Sequence, residues 1–315
     1  MYGATVNLHH LRVFAAVAEH GGVVAAARAL HVSQPAVSHA IREFERQVGL
    51  PLLERTGRGV RLTPEGAEVY AHARGVYAAE RAVEETIASL RGVHHGTLHI
   101  GASTTIATYV LPEMISAFAS SHPRVDVRLS AMHTRSIVEL LTHHALDIAV
   151  AEAPVTDPRI RVTPWRIDEM VVICSPRHRL ASRRSVAPRA LEREQFILRE
   201  PESGTRVIVT EALARAGVRI RRSMSVDSTE VIKQLVAEGL GIAVVSRVAV
   251  RDQLSIGRLL ALDVNGLMIR RPFNRLALRN ARPSSTAKAF GTFLRRAITA
   301  DLATAGETGM EPAAV

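Results

Sequence analysis

The chain has 315 residues, 47% of them hydrophobic and 22% charged, which is enough to bury two or three compact cores. Its formal charge of +10 and pI near 10.9 favour an acidic partner such as nucleic acid. No apolar run reaches the roughly 20 residues of a bilayer span, and the start MYGATVNLHHLRVF lacks the basic and apolar parts of a secretory signal, so a cytoplasmic chain without a membrane partner is expected.

From Asn7 to Gly49 the apolar pattern is helical with short breaks. Leu8, Leu11, Val13, Phe14, Val17 and Ala18 fall at helical spacing, and Gly21-Gly22 stops this first helix. Ala25 to Leu30 predicts a second, short helix. His31-Val32 turns the chain, and Ser33 caps a third helix that tolerates Pro35, because first-turn amides have no intrahelical partner. Residues 50–63, LPLLERTGRGVRLT, predict a two-stranded hairpin with a basic tip.

Thr63-Pro64-Glu65 opens a long helix, with Thr63 as cap and Pro64 at the first helical position. It extends to Leu90, about 27 residues and about 40 Å. Val69, Ala73, Val76, Glu80, Val83, Ile87 and Leu90 alternate spacings of four and three, a coiled-coil seam interrupted at Glu80. Such a stripe must be buried, so a dimer or an equivalent partner helix is expected, with packing on its own domain as the alternative. Arg91 to Gly96 reads as a hinge. The histidines there and His143-His144 lack carboxylate or thiol partners at ligand spacing, so no metal is expected.

After Gly96 short apolar strands alternate with helices. The strands are Thr97–Ile100, Val125–Ala131, Asp147–Ala151, Met170–Cys174, Gln195–Leu198, Met224–Val226, Gly241–Val245 and Leu276–Arg279. The helices are Ile106–Ser120, Arg135–His144, Arg206–Ala216, Glu230–Glu238 and Ser284–Ile298. This alternation predicts a doubly wound α/β region of roughly 200 residues, large enough for two lobes. Its one cysteine, Cys174, permits neither an intrachain disulfide nor a cysteine metal site. The tail from Asp301 is small and polar and is expected to be disordered.

On a wheel at about 100° per residue, SQPAVSHAIREFERQVG (33–49) sets Val37, Ile41, Phe44 and Val48 on one stripe. Pro35, Ser38, His39, Arg42 and Arg46 gather on a separate arc with Gln34 at its edge. Gln34, Ser38, His39 and Arg42 can donate or accept at base edges or phosphates, yet any solvated helix face has this composition. Arg55, Arg58 and Arg61 on the hairpin suit phosphates or a minor groove. Lys233 and Lys288 are the only lysines. The arginine bias fits nucleic-acid recognition and equally fits codon usage in a GC-rich genome.

The order helix, short helix, turn, polar-faced helix and Arg-tipped hairpin is that of a winged helix-turn-helix. The run FAAVAEHGGVVAAARALHVSQPAVSHAIREFERQVGLPLLERTGRGVRLTPEG resembles the DNA-binding domain of LysR-type transcriptional regulators. SGTR at 203–206 and VAEGLGIAVV at 236–245 resemble their effector domain, and the likeness spans residues 7 to 300. It implies an α/β chain with an all-α-rich N-terminal winged helix-turn-helix (7–63), a linker and dimerisation helix (64–92), a two-lobed periplasmic-binding-protein-like effector domain (96–300), and a tail (301–315). It places Ser33, Gln34, Pro35, Ser38 and Arg42 at DNA-facing positions and Arg55 and Arg58 on the wing. Gly22, Val23, Val24 and Ala25 depart from the family pattern, which opens the second helix with Ser, an aromatic and a small polar or basic residue; a cap and backbone contacts are lost there.

Hydroxyl residues recur where strands run into helices: Ser103-Thr104-Thr105, Thr134, Ser203 and Thr205 before Arg206, and Ser228-Thr229. Any one of them reads as a helix cap, but ligands of open α/β sheets bind at the carboxyl edges of strands. The resemblance places the effector cleft at Ser103, Thr104, Thr105, Thr134, Ser203 and Thr205, with Arg206 as a fork for a carboxylate, phosphate or sulfate. SGTR is similar to the branch that regulates sulfur or carbon assimilation.

The expected function is regulation of transcription at a promoter inverted repeat in double-stranded DNA. It would be exercised as a homodimer or homotetramer responding to a small anionic metabolite, with RNA polymerase a candidate partner and no cofactor. An enzyme on the α/β part would need a G-x-S-x-G turn, a G-x-G-x-x-G or P-loop, or a metal cluster, and has none. A nonspecific nucleoid protein would leave the two-lobed part without a use.

Overall fold

The computed structural model describes residues 6–57, 59–90 and 96–295. The chain forms two compact units, the first running to Glu84 and including His143–Ala145, the second beginning at Glu85 and excluding those three residues. The expected hinge at 91–95, Arg58 on the hairpin tip and the tail from Asp301 lie outside the described residues. No helix among those described is long and apolar enough to cross a membrane.

The first unit contains α1 (Leu8–His20), α2 (Val23–Ala29), α3 (Gln34–Val48), the hairpin β1 (Leu53–Thr56) and β2 (Gly59–Leu62), and the start of α4 (Pro64–Leu90). Asn7 caps α1, accepting from the His9 amide at 2.9 Å, and Gly21 closes it in the left-handed conformation. α2 begins at Gly22 without a side-chain cap, as its unusual opening suggests. Phe14, Val17, Val37, Phe44, Leu52 and Ala73 form the buried centre, with the Phe14 and Phe44 rings 5.6 Å apart. Thr63 caps α4, accepting from the Gly66 amide at 2.9 Å. Gly66 has to be glycine: a Cβ there would lie 2.0 Å from the Leu52 carbonyl oxygen.

The seam of α4 divides. Val69 and Ala73 pack on the unit's own core with Tyr70 and Tyr77, and Glu80 pairs with Arg12 of α1. Val76, Val83 and Ile87 stay exposed, at 40%, 59% and 46%.

The second unit contains β3 (Gly96–Ala102), α5 (Thr104–Tyr109), α6 (Leu111–Ser121), β4 (Val125–Ala131), α7 (Thr134–Thr142), β5 (Ile148–Ala151) and β6 (Ile160–Cys174). It continues with β7 (Gln195–Arg199), α8 (Gly204–Arg215), β8 (Arg222–Val226), α9 (Thr229–Ala237), β9 (Ala243–Ser246), α10 (Arg251–Ser255), β10 (Leu260–Leu262) and β11 (Ile269–Leu278). A last helix, α11, covers 285–295. The main sheet runs β10-β6-β11-β5-β3-β4 with β9 also on β6, and β7 pairs in parallel with β8. β3 is parallel to β4 and β5, whereas β6 and β11 are antiparallel, so the sheet is mixed.

One lobe packs Leu98, Ile100, Leu111, Phe118 and Phe290; the other packs Leu180, Leu198, Leu213 and Ile242. β6 and β11 run through both, and their pairing slips between Phe273 and Asn274, where Pro164 supplies no amide. These strands are much longer than their apolar ends, Met170–Cys174 and Leu276–Arg279, suggest. The single helix expected over Ile106–Ser120 is broken at Val110, because Pro112 cannot donate to the carbonyl four residues back.

Candidate nucleic-acid interface and effector cleft

Ser33 opens α3 with its hydroxyl accepting from the Ala36 amide at 3.4 Å. Val37, Ala40, Ile41 and Phe44 are buried, which turns Gln34, Pro35, His39 and Arg42 outward and leaves Ser38 half-buried. The acidic residues of the helix are already engaged. Glu45 accepts from the Leu52 and Leu53 amides at 2.8 and 3.0 Å and so fixes the start of the wing to α3. Glu43 takes Arg46, with Nε at 3.0 Å from its oxygen.

On the wing, Arg61 donates to Glu54 directly across the hairpin at 2.9 Å, so its charge is neutralised. Arg55 is exposed and has no ion pair among the described residues. The Val60 amide bonds the Gly21 carbonyl at 3.1 Å, which ties the wing to the end of α1. The polar arc of α3 and the cation of β1 are thus held on a rigid frame, the arrangement that sets a recognition helix in a major groove and a wing on phosphates.

In the second unit the carboxyl ends of β3 and β5 deliver Ser103 and Glu152, and the start of α8 delivers Ser203 and Thr205. Ser103 donates to Glu152, and Thr205 donates to the same carboxylate at 3.3 Å. Arg271 of β11 closes the group: Nη1 lies 2.8 Å from Thr205 and 3.4 Å from Glu152, and Nε lies 2.7 Å from Asp168 of β6. Ser246 donates to Asp168 at 2.6 Å. Arg271 is only 2% exposed, yet its Nη2 is buried without a hydrogen-bond partner among the described residues. Burial pushes the Asp168 carboxyl above the usual range, and Arg271 partly opposes that.

The hydroxyls were candidates for capping or for ligand contact. Only Ser228 caps, accepting from the Val231 amide at 3.4 Å. Ser103 and Ser203 stand at the cap positions of α5 and α8 without a side-chain cap bond. Thr105 is buried, and Thr104 and Thr134 are half-buried. Arg206 is tied back through one nitrogen: Nη1 donates to the Arg199 carbonyl at 2.8 Å and to Ser225 at 3.2 Å. The lobes also meet beside the cleft. Tyr109 of α5 donates to Glu230 of α9, whose carboxylate holds the buried Lys233 at 2.7 Å, and the Lys233 ammonium lies 4.9 Å over the Tyr109 ring. His133 faces Glu200 at 3.7 Å.

Sequence reasoning missed Glu152, Asp168, Ser246 and Arg271. Glu152 follows a strand's carboxyl end just as Ser103 does, so the same edge rule applied to acids would have found it. Asp168 and Arg271 lie inside strands whose apolar pattern they interrupt, and no local signal marks them. Cys174 is buried, with its thiol pushed up to about 11, so it is an inert core residue.

Two family models match the chain: the bacterial regulatory helix-turn-helix protein of the lysR family over residues 8–67 and the LysR substrate binding domain over 91–299. The chain is 36% identical over 289 residues to the RuBisCO operon transcriptional regulator of Allochromatium vinosum, covering 92% of this chain and 95% of the relative. It is 34% identical over 291 residues to the HTH-type transcriptional regulator CbbR of Rhodospirillum rubrum, covering 92% and 96%. A full-length OxyR variant from Pseudomonas aeruginosa shares the fold, at TM-score 0.76 and 21% identity over 92% of this chain and 95% of that one. The Synechocystis CcmR regulatory domain in complex with 2-PG is 27% identical at TM-score 0.61, covering 64% of this chain and 97% of that domain. With both models and full-length relatives matched across the two units, the chain belongs to the LysR family of transcriptional regulators, DNA-binding proteins and not enzymes.

Proposed function

We propose that the protein binds an inverted repeat in a promoter as a symmetric oligomer and changes transcription when a small anionic metabolite enters the cleft between its lobes. The buried Arg271 carries the anionic reading, because its Nη2 has no acceptor and an effector oxygen would supply one. Ser103 and Thr205 flank Arg271 with their protons on Glu152, Thr104, Thr105, Thr134 and Ser203 are the hydroxyls we assign as donors to the ligand, and Arg206 is held in the second lobe through Nη1. DNA is read by Gln34, Pro35, Ser38, His39 and Arg42, with Ser33 shaping the helix start and Arg55 and Arg58 on the backbone. The uncovered side of α4, with Val83 and Ile87, supports association with a second copy through the linker. The relatives' names support control of a RuBisCO operon.

A melting-temperature screen of the full-length protein against organic acids and phosphorylated anions tests the cleft. A ligand at a hundredfold excess over its Kd stabilises the fold by about 2.7 kcal/mol. Ser203→Ala should weaken that response and leave DNA affinity unchanged. Footprinting should protect two symmetric half-sites; sequence-independent coating that fades steeply with salt would overturn the regulator reading in favour of nonspecific binding.

A further inference from the structure

The first lobe carries a second pocket, of about 400 Å³, at the sheet edge opposite the cleft. The cleft lies past the carboxyl end of β5 at Glu152; this pocket opens at the other end of that strand, at Asp147 and Ile148. Arg275 pairs with Thr163, and Ala277 with Arg161, across β6 and β11, so all four side chains stand on one face. α11 lies along that face and adds Lys288 and Arg295 to the lining.

Four cations, Arg161, Arg275, Lys288 and Arg295, therefore line the pocket against one carboxylate. That carboxylate, Asp147, already accepts from the His99 amide at 2.8 Å. Arg275 donates from Nη1 to the Gly291 carbonyl at 3.1 Å, but its Nε is buried with no partner among the described residues. Burial first, and then the Arg295 guanidinium, hold Arg275 below the usual arginine range. Arg161 spends one nitrogen on the Arg279 carbonyl at 2.9 Å, and Lys288 is exposed. Elsewhere the chain matches its buried cations with acids: Arg199 with Glu200, Lys233 with Glu230, and Arg271 with Asp168. In this pocket Arg275 has no acidic partner among the described residues.

We propose that the pocket is a second ligand site, separate from the cleft, and that it takes a small polyanion of the phosphate-ester or di- and tricarboxylate class. A ligand oxygen would satisfy the Arg275 Nε and separate Arg275 from Arg295. Arg161 adds a planar fork at the mouth, and Lys288 adds a point charge. The volume falls in the range of metabolite pockets and exceeds what a single inorganic ion fills. β11 carries Arg275 to this site and Arg271 to the cleft, four residues or about 13 Å apart, so the two ligands would act on one strand.

Calorimetric titration of the full-length protein with pyrophosphate and with citrate, at ionic strength held constant with chloride, tests the site. Saturable binding is expected. The exposed pair Arg161→Ala and Lys288→Ala together should weaken it at least tenfold, while Ser203→Ala in the cleft leaves it unchanged. Absence of saturation above the chloride background, or wild-type affinity in the double variant, overturns the proposal. So does a double variant that keeps anion affinity but loses DNA affinity with a shallower salt slope, which would make the face a backbone contact. Failure of the cleft reading would show as an unchanged effector response in Ser203→Ala and leave this titration intact.

Discussion

Arg271 illustrates what a buried charge demands. It is enclosed by Glu152, Asp168 and Thr205, and each member of the set is tolerated only because the others are present. Arg271→Ala would leave two buried carboxylates without a counter-ion and should cost about 3–5 kcal/mol of unfolding free energy at pH 7.5, measured by urea denaturation. The pH dependence follows from Asp168, whose carboxyl is raised by burial while Arg271 pulls it down. Because its folded pKa lies above its unfolded one, ionisation costs stability; that cost is absent below the ordinary carboxylate range and complete once pH exceeds the raised value. Removing Arg271 raises the folded value further, so the deficit of the variant should shrink between pH 7.5 and pH 5. An equal deficit at both would mean that the carboxylates find other partners when the arginine is gone. None of this was legible in the chain. A charged residue inside a strand looks like a break in the pattern, and the partners of Arg271 lie 66, 103 and 119 positions away.

At the scale of elements, α3 was legible because its information is local: a cap, a stripe of Val37, Ile41 and Phe44, and a polar arc, all within four turns. The wing was legible for the same reason, as two alternating runs around glycines. Which of its arginines is free was not, since pairing across the hairpin decides it. Arg61 faces Glu54 and is neutralised; Arg55 faces Val60 and is not. In salt-dependent binding to a promoter fragment, Arg55→Ala should weaken affinity for all sequences alike and reduce the salt slope by about 1. Arg61→Ala should reduce the slope much less, because Arg61 spends its charge on Glu54 and not on a phosphate. Arg42→Ala should instead relax sequence preference at one position and cost about 1–3 kcal/mol there. Equal salt slopes for the Arg55 and Arg61 variants would show that Arg61 leaves Glu54 when DNA arrives. The α4 seam was half legible: its period announced a buried stripe, but that Val69 and Ala73 meet the core of their own unit depends on where α1 lies.

For the effector domain as a whole, alternation of strands and helices announced two α/β lobes, whereas the link between them was hidden. β6 and β11 join the lobes through segments with Pro164, Arg166, Asp168 and Arg271, which carry no apolar strand pattern; Asp168 and Arg271 are buried by partners on several elements at once. The lobes approach closely: a Cβ on Gly204 would lie 2.6 Å from the Ala153 Cβ. Tyr109 and Glu230 bridge them at one end, and Thr205 and Glu152 bridge them in the middle. Contacts made only when the lobes are near each other must contribute to the equilibrium between open and closed forms, and a ligand can shift that equilibrium only by binding one form better. Tyr109→Phe isolates one such contact, because the ring stays over Lys233 and only the phenol oxygen is lost. A hydrogen bond to a charged acceptor at this half-buried position contributes about 1 kcal/mol. If the cleft ligand binds the closed form, the variant should bind it about fivefold more weakly by calorimetry, with DNA affinity in the absence of ligand unchanged. Tighter binding would instead assign the Tyr109–Glu230 bridge to a state that keeps the ligand out.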